Sequence, residues 1–186
     1  MHIQELTGQS SDPVFVFAYG SLIWRPDFEH TEVHQVVVPG YERRFWQASH
    51  DHRGTVENPG RVVTLVPVSG GRCEGLMYRL PSAGRNEILA ALDEREQDGY
   101  ERTWLQAIRE SDNKCFTVLT WLASTGNPSW VGDQPIEQLA CLINSRHGPS
   151  GSNREYLLRL HAAFEDLGIH DDHVTSLVQR VKSLPG

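Results

Sequence analysis

An apolar stretch that ends in a glycine turn lies near the start of the chain, at Val14-Phe15-Val16-Phe17-Ala18-Tyr19-Gly20-Ser21-Leu22. Its first five residues are small or apolar and rich in Val and Phe, which is typical of a fully buried strand. The pattern breaks at Gly20, where the backbone can adopt angles closed to other residues. From the local pattern alone, a tight turn after a core strand is the simpler interpretation. The alternative is a loop whose unpaired N–H groups attract anionic oxygen.

Further strands are predicted along the first two thirds of the chain, bounded by glycine, proline and polar turns. They cover residues 32–38, 41–47, 61–66 and 73–78, followed by a hairpin of 100–109 and 115–122. Pro39-Gly40 is expected to stop the first of them, and Ser69-Gly70-Gly71 to form the turn before 73–78. A helix is expected between the strand of residues 73–78 and the hairpin. It should begin with Ser82 as its N-cap and end at Gly99.

The last third of the chain has helical patterns. Asp133 is a candidate cap for a helix through Leu142, and a third helix is predicted from Asp171 to about Ser183. Between them, Ser152 and Glu155 form a capping box before a helix whose apolar residues share one face. These residues are Leu157, Leu160, Phe164 and Leu167. Short strands joined by turns, one interrupting helix and a helical tail predict an α+β fold, with a mixed or antiparallel sheet curled into a small barrel.

Size and charge narrow the class of protein. A length of 186 residues predicts one domain, with the polar residues 1–12 expected to be loose. The formal net charge of -7 argues against binding of nucleic acid. No apolar run approaches the ~18 residues that span a bilayer, and no signal-peptide pattern is present. The three scattered cysteines, Cys73, Cys115 and Cys141, suggest a reducing cytoplasm rather than a disulfide framework.

Glu96 is the most pointed candidate for chemistry, because it follows the predicted helix beside a glycine turn, where a carboxylate can face a cavity. The alternative is that Glu94, Arg95 and Glu96 only solvate the helix end. The histidine clusters at 50–52 and 170–173 lack a third ligand at zinc spacing, so no metal site is predicted. Cys115 lies in a predicted strand and is expected to be buried and inert.

Six stretches, taken in order, resemble the ChaC family of γ-glutamylcyclotransferases, in its glutathione-specific branch. They are Phe17-Ala18-Tyr19-Gly20-Ser21-Leu22-Ile23-Trp24-Arg25-Pro26, Gly40-Tyr41-Glu42-Arg43-Arg44-Phe45-Trp46-Gln47, Asp51-His52-Arg53-Gly54-Thr55, Pro59-Gly60-Arg61-Val62-Val63-Thr64-Leu65, residues 92–100 and Ser152-Asn153-Arg154-Glu155-Tyr156-Leu157. Each is weak alone, whereas the six together span nearly the whole chain and are very specific.

The resemblance implies a small mixed β-barrel with flanking helices, no cofactor, and conversion of glutathione to 5-oxoproline and cysteinylglycine. It implies that backbone amides of Tyr19, Gly20, Ser21 and Leu22 hold the γ-glutamyl group. It also implies that Glu96 is the catalytic acid/base and that Tyr156 lines the site, with Glu94 a less favoured rival for the catalytic role. The substrate is then a small molecule, and neither nucleic acid nor membrane is an expected partner.

Two alternatives remain open beside this function. One keeps the fold and changes the substrate to other γ-glutamyl amino acids or γ-glutamylamines. The other is a non-catalytic member of the fold that binds a ligand in the same pocket. The presence of Glu96 argues against the non-catalytic alternative. The full set of matching segments beyond residues 19–22 argues against the other substrates.

Overall fold

The computed structural model describes residues 12–185, which form a barrel of strands with helices against it. The barrel strands are β1 (Phe15–Ala18), β2 (Glu32–Ser49), β3 (Gly60–Arg79), β4 (Tyr100–Arg109) and β5 (Lys114–Ala123). A 3₁₀ turn follows β1 at Ser21–Ile23. The helices are α1 (Arg85–Arg95), α2 (Ile136–Ser145), α3 (Asn153–Leu167) and α4 (Asp172–Ser183). Two short strands, β6 (His147–Gly148) and β7 (Gly151–Ser152), pair just before α3.

The five long strands close into a barrel in the order β1-β3-β2-β4-β5. The pairing of β1 with β5 is parallel, whereas the other neighbours in the barrel are antiparallel. The β4–β5 hairpin has the predicted positions, with Arg109 opposite Lys114 at its turn. The predicted α+β fold, a small mixed barrel with flanking helices, is confirmed.

Strands β2 and β3 are longer than predicted, because each joins two of the expected strands. Pro39-Gly40 does not end β2; the register shifts between Pro39 and Tyr41, where Gly40 has a φ of 79°. Ser69-Gly70-Gly71 likewise lies within β3 and not between two strands. A bulge accommodates a proline and a left-handed glycine without ending the ladder, which the local turn residues alone did not indicate.

Two predicted helix starts were wrong. Helix α1 begins after Gly84, whose left-handed backbone, φ 71°, separates Ser82 from the helix. Helix α2 has Pro135 as its N-cap and does not extend back to Asp133. A residue before a proline is disfavoured in helical geometry, which excludes Gln134 from the helix. Helix α1 also ends at Arg95, four residues before Gly99, with Glu96 as its C-cap.

The cap of α3 is as predicted, and α4 begins one residue after the predicted start, Asp171, which is its N-cap. Ser152 Oγ accepts a hydrogen bond from the Glu155 amide at 3.0 Å, and Asp171 Oδ1 accepts one from the Val174 amide at 3.0 Å. On α3, Leu157, Leu160 and Phe164 are buried as predicted, whereas Leu167 is only partly buried. These residues join the apolar faces of α2 and α4 and the barrel in one core.

Of the three cysteines, Cys73 is buried, whereas Cys115 and Cys141 are exposed, and all three are free. The prediction that Cys115 is buried was wrong, because alternate residues of a strand face opposite sides and Cys115 lies on the outer one. No helix within residues 12–185 has both the length and the apolar character needed to cross a bilayer. The expectation of a loose segment at residues 1–12 falls almost entirely outside the described part of the chain.

Candidate active site

A cavity of about 410 Å³ opens beside the end of β1 and receives side chains from distant parts of the chain. Its wall includes all six residues singled out from the sequence: Tyr19, Gly20, Ser21, Leu22, Glu96 and Tyr156. Glu94 is exposed on α1 and lies outside this wall. The cavity therefore brings one of the two candidate carboxylates, and not the other, to the glycine turn.

The glycine loop, residues 19–22, is held in place by hydrogen bonds that side chains donate to its carbonyl groups. The Tyr19 carbonyl accepts a hydrogen bond of 2.6 Å from Arg43 Nε, and the Leu22 carbonyl accepts one of 3.1 Å from the Tyr78 hydroxyl. Residues 21–23 form the 3₁₀ turn, closed by a hydrogen bond from the Ile23 amide to the Gly20 carbonyl at 3.0 Å. The first amides of such a turn have no partner inside it, so they remain available to a ligand.

Gly20 is required by close packing. A Cβ at this position would lie 2.9 Å from Val63 Cγ2 and 3.2 Å from the Tyr156 hydroxyl. Any larger residue must therefore displace the Val63 side chain, the Tyr156 ring or the loop itself. The glycine lets the loop approach the cavity wall as closely as it does.

Arg43 supports the loop from the interior. Its side chain is 1% exposed, and it pairs with Asp171 Oδ2 at 2.6 Å, at the N-terminus of α4. It also donates to the Glu74 carbonyl at 2.6 Å and lies 4.3 Å from the Phe164 ring centroid. A buried guanidinium that is paired and donates a hydrogen bond from each of its three nitrogens is stable in the interior and rigid. The position of the Tyr19 carbonyl thus depends on a residue of the C-terminal helices.

Glu96 lies at the C-cap of α1, where its amide donates to the Leu92 carbonyl at 2.8 Å. Its side chain is 21% exposed, and Arg95 Nε lies 3.6 Å from Glu96 Oε1. Burial raises the pKa of the Glu96 carboxyl group, whereas the charges of Arg95 and His52 oppose this rise and Asp51 adds to it. A carboxylate with a raised pKa is a better proton acceptor than an ordinary surface glutamate.

Three tyrosines surround this carboxylate: Tyr19, Tyr100 and Tyr156. Burial raises the pKa of each hydroxyl, and the charge of Glu96 contributes to the shift. The Tyr19 hydroxyl donates to the Trp121 carbonyl at 2.7 Å, and the Tyr100 hydroxyl to the Val63 carbonyl at 2.7 Å. All three hydroxyls are protonated at neutral pH, but Tyr19 and Tyr100 donate their single protons to backbone carbonyls, which leaves the Tyr156 hydroxyl as the donor for a ligand.

Tyr156 reaches the cavity from the first turns of α3. Asn153, at the start of the helix, is fully buried; its Oδ1 accepts from the Arg61 amide at 2.6 Å and its Nδ2 donates to the Arg61 carbonyl at 2.7 Å. The side-chain amide thereby takes the place of a neighbouring strand at the start of β3. Tyr156 packs edge-on against Trp24, with ring centroids 5.4 Å apart.

The segment after Glu96 is anchored through Asp98. Its carboxylate accepts from Ser129 Oγ at 2.6 Å and lies 3.0 Å from His50 Nδ1. Gln47 Nε2 donates to the Asp98 carbonyl at 2.6 Å. His50 thus belongs to a structural hydrogen-bond network. Within residues 12–185, no three His, Cys, Asp or Glu side chains form a group able to hold a metal ion.

Sequence reasoning assigned no role to the arginines on the cavity wall, of which Arg53 and Arg95 hydrogen-bond to other parts of the site. Both lie in segments that carried the family resemblance, but neither was assigned a role. The position of Arg95 beside Glu96 was the only local signal. Arg53 had none, because its partners Ser152 and Glu155 lie about a hundred residues further along the chain.

Known proteins resemble this chain over nearly its whole length. The family model described as "ChaC-like protein" matches residues 14–184. A glutathione-specific gamma-glutamylcyclotransferase 1 of Rattus norvegicus is 36% identical, over 95% of this chain and 82% of the relative. Gamma-glutamylcyclotransferase 2-3 of Arabidopsis thaliana is 35% identical, over 92% of this chain and 89% of the relative.

A solved structure also resembles the fold of this chain. The crystal structure of a yeast γ-glutamyl cyclotransferase specific to glutathione superimposes with a TM-score of 0.87 and 28% sequence identity, covering 92% of this chain and 96% of that one. The sequence match and the fold agree over the barrel and the C-terminal helices. The chain belongs to the ChaC family.

Proposed function

We propose that the protein is a glutathione-specific γ-glutamylcyclotransferase, which converts glutathione to 5-oxoproline and cysteinylglycine. The observation that carries the proposal is the meeting, in one cavity, of the Glu96 carboxylate and the glycine loop. Relatives named as glutathione-specific enzymes, 36% and 34% identical in Rattus norvegicus and Escherichia coli, support the choice of substrate.

The reaction needs no nucleophile from the protein. The α-amine of the substrate attacks its own γ-amide carbonyl, forming a C–N bond that closes a five-membered ring. The amide bond to cysteine then breaks, and cysteinylglycine leaves as a free amine. Because the reacting groups belong to one molecule, the enzyme has only to hold a productive conformation and to move a proton.

Glu96 is the group proposed to move that proton. An α-amine, with a reference pKa of about 8, is largely protonated at neutral pH and must lose a proton before it can attack. Glu96 accepts this proton and later donates it to the leaving nitrogen. Burial makes the carboxylate more basic, and Arg95 and His52 help to keep it ionised. The carboxylate is thus suited to both halves of the transfer.

The glycine loop is proposed to hold the γ-glutamyl group. Free amides at the start of the 3₁₀ turn are suitable donors to the substrate carboxylate and to the carbonyl oxygen as it gains negative charge. The protonated hydroxyl of Tyr156 lies against Gly20 and can add a further donor. These donors are fixed before substrate binds, since the loop carbonyls are tied to Arg43 and Tyr78.

The direct test is incubation of the purified protein with glutathione and identification of products by mass spectrometry. We expect 5-oxoproline and cysteinylglycine in equal amounts, and much slower turnover of γ-glutamyl-alanine. N-acetylated glutathione, which lacks a free α-amine, should not react. Release of glutamate in place of 5-oxoproline would mean hydrolysis by water. Faster turnover of γ-glutamyl-alanine than of glutathione would mean that the preferred substrates are other γ-glutamyl compounds.

Location in the cytoplasm is part of the same proposal. It is supported by three free cysteines and by the expected substrate, a thiol. A net charge of -7 also supports a small-molecule substrate over nucleic acid.

A further inference from the structure

Arg53 follows β2 and forms part of the cavity wall, although only 9% of the residue is exposed. Its guanidinium is held by one edge: Nη1 donates to the Ser152 carbonyl at 3.2 Å and lies 3.4 Å from Glu155 Oε2. Its Cζ lies 5.5 Å from the centroid of the Tyr156 ring. These contacts orient the group, because each comes from the same end of α3.

The opposite edge of the Arg53 guanidinium makes no hydrogen bond to residues 12–185. Neither Nε nor Nη2 of Arg53 donates a hydrogen bond to another of residues 12–185. These two nitrogens form the side of an arginine that binds a carboxylate with two parallel hydrogen bonds. Both nitrogens remain accessible to water, so an anion that enters the cavity can replace that water.

The charge around Arg53 is also unbalanced. Among residues 12–185, the one carboxylate that pairs with Arg53 is that of Glu155, and it is shared with Arg159, whose Nη2 lies 2.8 Å from Glu155 Oε1. Two guanidinium groups therefore divide one negative charge, which leaves the group of Arg53, Arg159 and Glu155 with a net positive charge. Arg159 is 56% exposed, so water stabilises it, whereas Arg53 is 10% exposed at its side chain.

Arg53 and the glycine loop are both next to Tyr156. The Arg53 Cζ lies 5.5 Å from the centroid of that ring, and its hydroxyl lies 3.2 Å from where a Gly20 Cβ would be. If the γ-carbonyl lies at the glycine loop, the cysteinylglycine portion must extend away from it. Two residues of extended chain span at most ~7 Å, so the carboxylate of that portion stays within this reach of the scissile amide.

We propose that Arg53 binds the C-terminal carboxylate of the cysteinylglycine portion, through Nε and Nη2. This inference rests on the proposed function and assigns the second end of its substrate. Arg53 then selects γ-glutamyl peptides that carry a carboxylate two residues beyond the scissile amide. Amines and esters lack that anion, and γ-glutamyl amino acids carry it one residue too early.

The test compares glutathione with its glycine monoethyl ester, which keeps the scissile amide and removes the carboxylate charge. The parent protein should prefer glutathione in kcat/KM by about 10- to 100-fold, the usual range for a hydrogen bond to a charged group. In Arg53→Gln the preference should fall to less than about threefold, through a rise in KM for glutathione and little change for the ester. Arg53→Lys, which keeps the charge and loses the paired geometry, should be intermediate.

The ratio of two substrates on one preparation does not depend on the fraction of folded protein, so partial unfolding of a variant cannot imitate the result. Equal loss for both substrates would make Arg53 structural and overturn the inference, as would a parent protein with no preference. Arg159→Gln is the comparison variant, and loss of the preference there instead of in Arg53→Gln would also overturn it. A parent that forms 5-oxoproline from neither substrate would overturn the proposed function itself.

Discussion

The guanidinium of Arg95 donates a hydrogen bond to the hydroxyl of Ser21, over 3.1 Å, from the end of α1 to the glycine loop. The same side chain donates to the Pro26 carbonyl at 3.2 Å and has its Nε 3.6 Å from Glu96 Oε1. The residue next to the proposed base therefore connects that base to the loop proposed to hold the substrate. It acts both on the position of Glu96 and on its charge.

Replacing Arg95 with Gln should therefore shift the pH profile. Arg95 lowers the pKa of Glu96, against the effect of burial, so its removal raises that pKa further. Glu96 must be ionised to accept a proton, so the acidic limb of kcat/KM should move to higher pH. The charge of His52 also lowers this pKa and that of Asp51 raises it, and both remain. The acidic limb of Arg95→Lys should lie between those of the parent and Arg95→Gln. A pH profile that is unchanged in Arg95→Gln would show that Arg95 does not set the charge of Glu96.

Glu96→Gln should fold and lose turnover. Loss of a positioned acid/base group typically costs ~10²–10⁴-fold in rate, and the isosteric amide leaves the packing unchanged. The matched control is Glu94→Gln, two residues away on the exposed side of α1, which should keep near-normal kcat. The measurement is kcat for both variants with glutathione. A normal rate in Glu96→Gln with a loss in Glu94→Gln would exchange the two assignments.

The same variant should be more stable than the parent at alkaline pH. Because burial raises the pKa of Glu96, the folded protein disfavours its ionised form, and the cost is present above the folded-state pKa. The amide has no such cost, so the Tm of Glu96→Gln should exceed that of the parent near pH 8. As the pH falls and the parent carboxylate is protonated, the difference in Tm should shrink. A difference that is constant from pH 8 to pH 4 would show that ionisation is not its cause.

Gly20→Ala should lower both activity and stability. Its methyl group would meet Val63 Cγ2 at 2.9 Å and the Tyr156 hydroxyl at 3.2 Å, so the loop or the ring must move. A displacement of about 1 Å in positioning groups can cost on the order of 100-fold in rate. Ser21→Ala keeps the backbone donor and loses only the hydrogen bond from Arg95, so it should be milder. If Gly20→Ala melts at a lower temperature yet cleaves glutathione like the parent, the loop is only a turn.

Asn153→Ala should destabilise the fold more than an ordinary surface change. The side chain is fully buried and pairs with both the amide and the carbonyl of Arg61. Its loss leaves two buried backbone groups without partners, at a cost of about 2–4 kcal/mol in the free energy of unfolding. Urea denaturation measures this, with exposed Asn58→Ala as the control. A similar midpoint for both variants would mean that water replaces the lost partners.

Local patterns predicted the elements whose signals are local. The Ser152 cap, the helix that begins at about Asp171 and the β4–β5 hairpin were all predicted from a few neighbouring residues. The extent of β2 and β3 was not, because their pairing across a bulge outweighs the turn residues within them. In the site, the residues named from the family resemblance share one cavity, whereas their roles stay predictions. Arg53 and Arg95 were missed because Glu155 and Ser21, which define their surroundings, are 102 and 74 residues away.

A fragment ending at Ala123 would contain all five strands of the barrel, the glycine loop and Glu96. It would nonetheless lack Tyr156, and it would lack Asp171, which pairs with the arginine that fixes the Tyr19 carbonyl. Proteolysis or truncation after the barrel should therefore inactivate the protein for two reasons. It removes the part of the cavity wall that contains Tyr156, and it removes the ion pair that supports the glycine loop. We therefore expect activity only after the last third of the chain has been synthesised and has packed against the barrel. A partly synthesised or proteolysed chain that contains only the barrel should not turn over the substrate.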